Sequence, residues 1–132
     1  MIIPLPGWTR PPFTSNEARS KRHFHELNTA KREVHDIIGW TVKARKVPPM
    51  RCVSVVLVWV PPDRRIRDSD SLGWALKACL DGLVHSGILP GDDYRYVPMS
   101  GHRIDPPAIR PRMWLELQEL TTASPQSKDE SA

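Results

Sequence analysis

Four carboxylates and a handful of cations carry the chemical potential of this sequence. Asp68 and Asp70 are separated by one serine, and Asp92 and Asp93 are adjacent. Carboxylates this close repel each other and stay ionised only beside a cation or a basic neighbour. Their hard oxygens suit Mg²⁺ or Mn²⁺, which bind through few carboxylates and keep several waters. Arg64, Arg65 and Arg67 lie immediately ahead of the first pair, and guanidinium forks match phosphate oxygens. Lys77 stands seven residues after Asp70 and four before Asp81. On a helix it shares a face with Asp81, so it is either half of an exposed ion pair or a cation placed to polarise a scissile phosphate. Plainer roles exist for the acids too: Asp70 or Ser71 as a helix N-cap, and Asp92-Asp93 as a turn before a strand.

These side chains need elements to position them. Proline doublets at Pro11-Pro12, Pro48-Pro49, Pro61-Pro62 and Pro106-Pro107 mark boundaries, because the residue before a proline is pushed out of the helical region. Ile2 to Leu5 reads as a short strand. Thr14-Ser15-Asn16-Glu17 supplies a helix start. From Glu17 to Val42, Phe24, Leu27, Ala30, Val34, Ile37, Ile38 and Thr41 recur at threes and fours. That spacing predicts one long amphipathic helix with Arg19, Arg22, Lys31 and Arg32 on its polar side. Cys52 to Val60 is rich in β-branched residues and predicts a central strand. After the arginine loop and the Asp-x-Asp, Leu72, Leu76, Cys79, Leu80 and Leu83 predict a second helix closing near Ser86-Gly87. Tyr94 to Met99 and Arg112 to Leu120 read as the last two strands. The five tryptophans read as core anchors, and the polar stretch from Thr121 to Ala132 as a disordered tail. The expectation is a single α+β domain over residues 1–120, a small mixed sheet packed against the long N-terminal helix and the helix that follows the Asp-x-Asp loop.

Composition narrows the function classes. The chain has 132 residues and a formal charge of +4, the size of one domain. Its longest apolar run, Val53 to Val60, is interrupted by Ser54 and falls far short of the roughly 20 residues a membrane span needs. No basic start or small-residue cleavage site marks the N-terminus, and the two cysteines, Cys52 and Cys79, sit in apolar segments. A cytoplasmic protein with free thiols and no membrane partner is expected. The first 46 residues hold nine Lys/Arg against four acids, a local charge of +5. The mildly basic balance fits nucleic acid, an anionic membrane surface or simple solubility alike, and the basic flank beside a compact acidic group is the pattern to explain. The five histidines show no zinc spacing with the distant cysteines. There is no phosphate-binding glycine loop, and Ser69 and Ser71 lack a histidine partner at triad spacing.

In this order, Arg67-Asp68-Ser69-Asp70-Ser71-Leu72, Lys77-Ala78-Cys79-Leu80-Asp81-Gly82-Leu83 and Gly87-Ile88-Leu89-Pro90-Gly91-Asp92-Asp93 resemble the signature of the RusA family of Holliday junction resolvases. The resemblance covers most of residues 13–120. It implies a small homodimeric, Mg²⁺-dependent endonuclease that nicks four-way DNA junctions symmetrically in recombination and repair. It also implies Asp68, Asp70, Lys77 and Asp92 as catalytic residues, with Asp68, Asp70 and Asp92 or Asp93 holding the metal. Arg64, Arg65, Arg67, Arg19 and Arg22 would bind DNA. Ser71 departs from the family's asparagine, and Lys77 lies about one helical turn further from the Asp-x-Asp than in compact members. Two alternatives stand beside it: a non-catalytic basic DNA-binding module and a Mg²⁺-dependent nucleotide phosphohydrolase. Pro61-Pro62 and the arginine loop between Val60 and Asp68 count against the second, which places its acids directly at a strand's end.

Overall fold

The computed structural model describes residues 1–11, 24–68 and 71–120. Six elements follow in order: β1 (Ile2–Pro4), α1 (Phe24–Arg45), β2 (Val53–Val60), α2 (Gly73–His85), β3 (Met99–Ile104) and β4 (Arg112–Glu119). The strands form one mixed sheet in the order β1-β4-β2-β3. β4 runs antiparallel to both β1 and β2, with Leu57 opposite Leu115. β3 runs parallel to β2, from Ser54 opposite Met99 to Trp59 opposite Ile104. The result is the expected α+β domain. Among the described residues no helix is long and apolar enough to cross a membrane.

The period-two pattern of the strands decides which face the helices cover. Val53, Val55, Leu57 and Trp59 of β2 join Met113, Leu115 and Leu117 of β4 and Ile3 of β1 in one core, closed by Val34, Ile38 and Val42 of α1 and Ala75, Cys79 and Leu83 of α2. Leu57 and Leu115 are fully buried; removing a side chain of this kind costs about 2–5 kcal/mol. The helices meet closely at Gly82, where an added Cβ would sit 3.0 Å from Ile38 Cδ1 and 3.5 Å from His35 Cδ2. Beside this contact Lys31 pairs with Asp81 at 3.5 Å.

Both helices stop the same way. The Gly87 and Ile88 amides donate to the Val84 and Leu83 carbonyls, and the Lys46 and Val47 amides to Lys43 and Val42. This pair of hydrogen bonds needs a left-handed residue after the helix. Gly87 takes it at φ +86°, and Lys46 takes it at φ +53°.

The structure corrects the sequence in three places. The third strand is Met99–Ile104 and not Tyr94–Met99. The Tyr96 and Val97 amides both donate to the Asp93 carbonyl, which curls that segment into a turn before the strand begins. Trp40 is 75 % exposed and anchors no core, whereas Trp59 is 5 % exposed. Leu72 occupies the N-cap of α2 with no side-chain cap bond, and the Ser71 hydroxyl is buried without a partner among the described residues. The capping role suggested for Ser71 is therefore not the one it plays. The start of the first helix, with Arg19 and Arg22, the other cap candidate Asp70, and the tail from Thr121 lie outside the described residues.

Candidate functional site

Because β2 and β3 are parallel, their carboxyl ends lie at one edge of the molecule, a common location for ligands in α/β units. The loop of residues 61–68 leaves β2 there, and the loop of residues 105–111 leaves β3. They are joined by a bond from the Ala108 amide to the Pro61 carbonyl, 3.0 Å. A cleft of about 680 Å³ lies between them, lined by Asp63, Arg64, Arg65, Arg67, His102 and Asp105 among others.

The three arginines of the first loop do different things. The Arg67 side chain is only 16 % exposed. Its guanidinium donates to the Asp63 carbonyl at 3.0 Å, the Arg65 carbonyl at 2.8 Å and Asp63 Oδ1 at 2.8 Å. It also lies 4.8 Å above the Trp59 ring. Asp63 accepts in addition from the Arg65 amide; that bond and the Arg67 fork hold its carboxyl below the usual carboxylate range. Arg67 thus braces the loop, while Arg64 is exposed and Arg65 is 78 % exposed. Three further arginines share this edge, although their sequence positions gave no sign of it. Arg10 is carried there by the bond from Trp59 Nε1 to the Thr9 carbonyl at 2.9 Å. Arg110 precedes β4 and Arg112 is its first residue, stacked on Trp114 at 5.4 Å.

Asp68 belongs to this same edge. It is exposed, and its carbonyl accepts from the Ser71 amide at 3.1 Å in the turn before α2. Lys77 lies one turn inside α2, about 6 Å along the axis from its first residue. It is exposed and has no ion-pair partner among the described residues, since Asp81 turns to Lys31 on α1. The pairing of Lys77 with Asp81 allowed by their spacing is not formed.

Asp92 and Asp93 lie elsewhere. The Val53 amide donates to the Tyr96 carbonyl at 2.8 Å, and Tyr96 is tied to Asp93. This fixes the acidic pair at the amino end of β2, whereas Arg67 and Asp68 are at the Trp59 end. Six residues of strand, about 20 Å, separate the two ends. The two late acids also differ. Arg95 grips both carboxylate oxygens of Asp93, at 2.9 and 3.0 Å from its side chain and 2.9 Å from its amide. The Arg95 side chain first, and its amide second, hold the Asp93 carboxyl below its ordinary range. Asp92 is exposed with no such neighbour among the described residues. No three His, Cys, Asp or Glu side chains come together as a metal site among the described residues. Among the described residues, Asp68 and the Asp92-Asp93 pair thus lie at opposite ends of β2 and are not brought together; Asp70 lies outside the described residues. No protein-family profile and no curated protein matches the chain.

Proposed function

We propose that this chain is a Mg²⁺-dependent, structure-selective endodeoxyribonuclease that resolves four-way DNA junctions as a cytoplasmic homodimer. One observation carries the proposal: the arginine-rich edge at the carboxyl ends of β2 and β3, to which Asp68 also belongs. The order of these residues in the chain, which resembles the RusA resolvases, supports it. Arg64, Arg65, Arg10 and Arg110 bind backbone phosphates and so set position without reading bases. Lys77 offsets charge that builds on the phosphate at cleavage. Asp68 and Asp70 are the hard donors for Mg²⁺, which when bound lowers the pKa of a water and steadies the leaving oxygen. Because Asp92 lies at the other end of β2 from Asp68, it takes part only if a second subunit supplies it. Paired nicks require two such sites, hence a two-fold dimer.

The test is cleavage of a synthetic four-way junction. Asp70→Asn should abolish cutting in Mg²⁺ and keep junction binding; cutting retained at the wild-type rate rejects the proposal. One observation favours a second reading, a non-catalytic DNA-binding module, namely the separation of Asp92 and Asp93 from Asp68 within the chain. Junction binding unaffected by Asp68→Asn, with no cleavage in Mg²⁺ or Mn²⁺, selects that module.

A further inference from the structure

Isoleucine is among the residues most consistently withdrawn from water. The two at the carboxyl edge of the sheet are not: Ile66 is 95 % exposed and Ile109 is 98 % exposed. They belong to two loops already tied together by the bond from Ala108 to Pro61. Each is set among cations, in the runs Arg65-Ile66-Arg67 and Ile109-Arg110-Pro111-Arg112. The loop that carries Ile66 is held by the Arg67 fork on Asp63 and on the Arg65 carbonyl. Its shape is thus settled before any ligand arrives, which removes part of the ordering entropy from binding.

A braced aliphatic tip between guanidinium groups fits one partner chemistry well. In nucleic acid, an apolar side chain enters between neighbouring bases while the flanking cations hold phosphates on either side. We propose that Ile66 and Ile109 form a paired wedge that enters and unstacks bases when this edge seats on branched DNA. The inference rests on the DNA reading above and adds to it the means of selecting a branch point. Stacking is already interrupted at a crossover, so insertion is easier there than in continuous duplex.

The experiment uses the full chain in EDTA with a synthetic four-way junction carrying 2-aminopurine beside the crossover, and a continuous duplex as control. The wild-type protein should raise 2-aminopurine emission several-fold on the junction and much less on the duplex. Ile66→Ser with Ile109→Ser should bind the junction within about threefold of wild type, because phosphate contacts dominate affinity, and should give no rise. Ile66→Leu with Ile109→Leu should keep the rise. Both tips are solvent-exposed, so the thermal midpoint of each variant should match wild type. A full rise with the serine variant overturns the wedge, as does tight wild-type binding without any rise. Loss of binding to phosphatidylglycerol vesicles in the serine variant, with no effect on DNA, overturns it in favour of a membrane surface. Unstacking without cleavage in Mg²⁺ sinks the nuclease proposal and leaves the wedge standing. Cleavage without unstacking does the reverse, and no DNA binding at all sinks both.

Discussion

Arg65 and Arg67 are separated by a single residue and have different duties: Arg65 is 78 % exposed with only a loose 3.7 Å pairing to Asp63, whereas Arg67 is folded back on its own loop. Alanine in place of Arg64 or Arg65 should therefore weaken DNA binding at low salt and reduce the slope of log affinity against log salt by about 1 each, measured by fluorescence anisotropy across a salt series. Arg67→Ala should act differently. It should reduce affinity on junction and duplex by loosening the loop, and Arg67→Lys should not rescue it, because an ammonium cannot span Asp63 and the Arg65 carbonyl together. Nothing in the run Arg64-Arg65-Ile66-Arg67 marks which arginine turns inward. That depends on Trp59 lying under one of them, a contact made only when strand and loop have folded. The same holds for Asp92 and Asp93, alike in sequence and told apart by Arg95.

At the level of elements, α1 and α2 depend on a glycine for their closest approach. Gly82→Val should push against Ile38 and His35 and destabilise the fold by about 1–3 kcal/mol, seen as a lower urea midpoint with an unchanged slope. Lys46→Gly should have the opposite sign. It relieves a left-handed lysine at the end of α1 and should add about 1 kcal/mol, a higher midpoint in the same titration. β2, β4 and the core stripes of both helices were legible in the sequence because their periodicity is strong and their burial one-sided or complete. β3 was not. Met99-Ser100-Gly101-His102-Arg103-Ile104 has little strand propensity and is an edge strand created by pairing with β2, so its signal lies in the partner. The neighbouring Tyr94-Arg95-Tyr96-Val97 looked better by composition and is curled instead by Asp93.

For the molecule as a whole, the decisive point is direction. A strand, a helix and a parallel strand return the chain to the end where it started, so a loop between α2 and β3 must lie at the amino end of the sheet. The resemblance implies one site for Asp68 and Asp92 or Asp93; that needs an antiparallel return, whereas the parallel pairing of β3 with β2 sets Asp92 and Asp93 at the amino end. Nothing in the sequence announces the direction of that return. The helix interface also sets the response to pH. His35 stacks on His85 at 5.3 Å between ring centres, and its Nε2 is buried without a partner among the described residues. Burial first, then His85 and Lys31, lower its pKa, against the pull of Asp81 and Asp36. The unfolded chain therefore takes the proton before the folded one does. Stability should be intact above about pH 6.5, fall as pH drops below it, and level off beneath the folded pKa. Thermal midpoints between pH 8 and 5 would show this, and His35→Gln should flatten the curve. The buried Cys79 thiol, pushed up to about 12 by desolvation, should stay unreactive to a thiol reagent until the fold opens, whereas the partly exposed Cys52 should react in the native state.

Trp59 brings together three parts of the molecule that are remote in sequence. Its indole N–H holds the Thr9 carbonyl, its ring lies beneath Arg67, and its backbone carbonyl accepts from Asp105. A stacked cation and a fixed donor bond both perturb indole emission, so this residue is a natural optical gauge for how the arginine edge is seated. Changes in its colour or lifetime when a polyanion is added would register movement at that edge without any label attached to the protein.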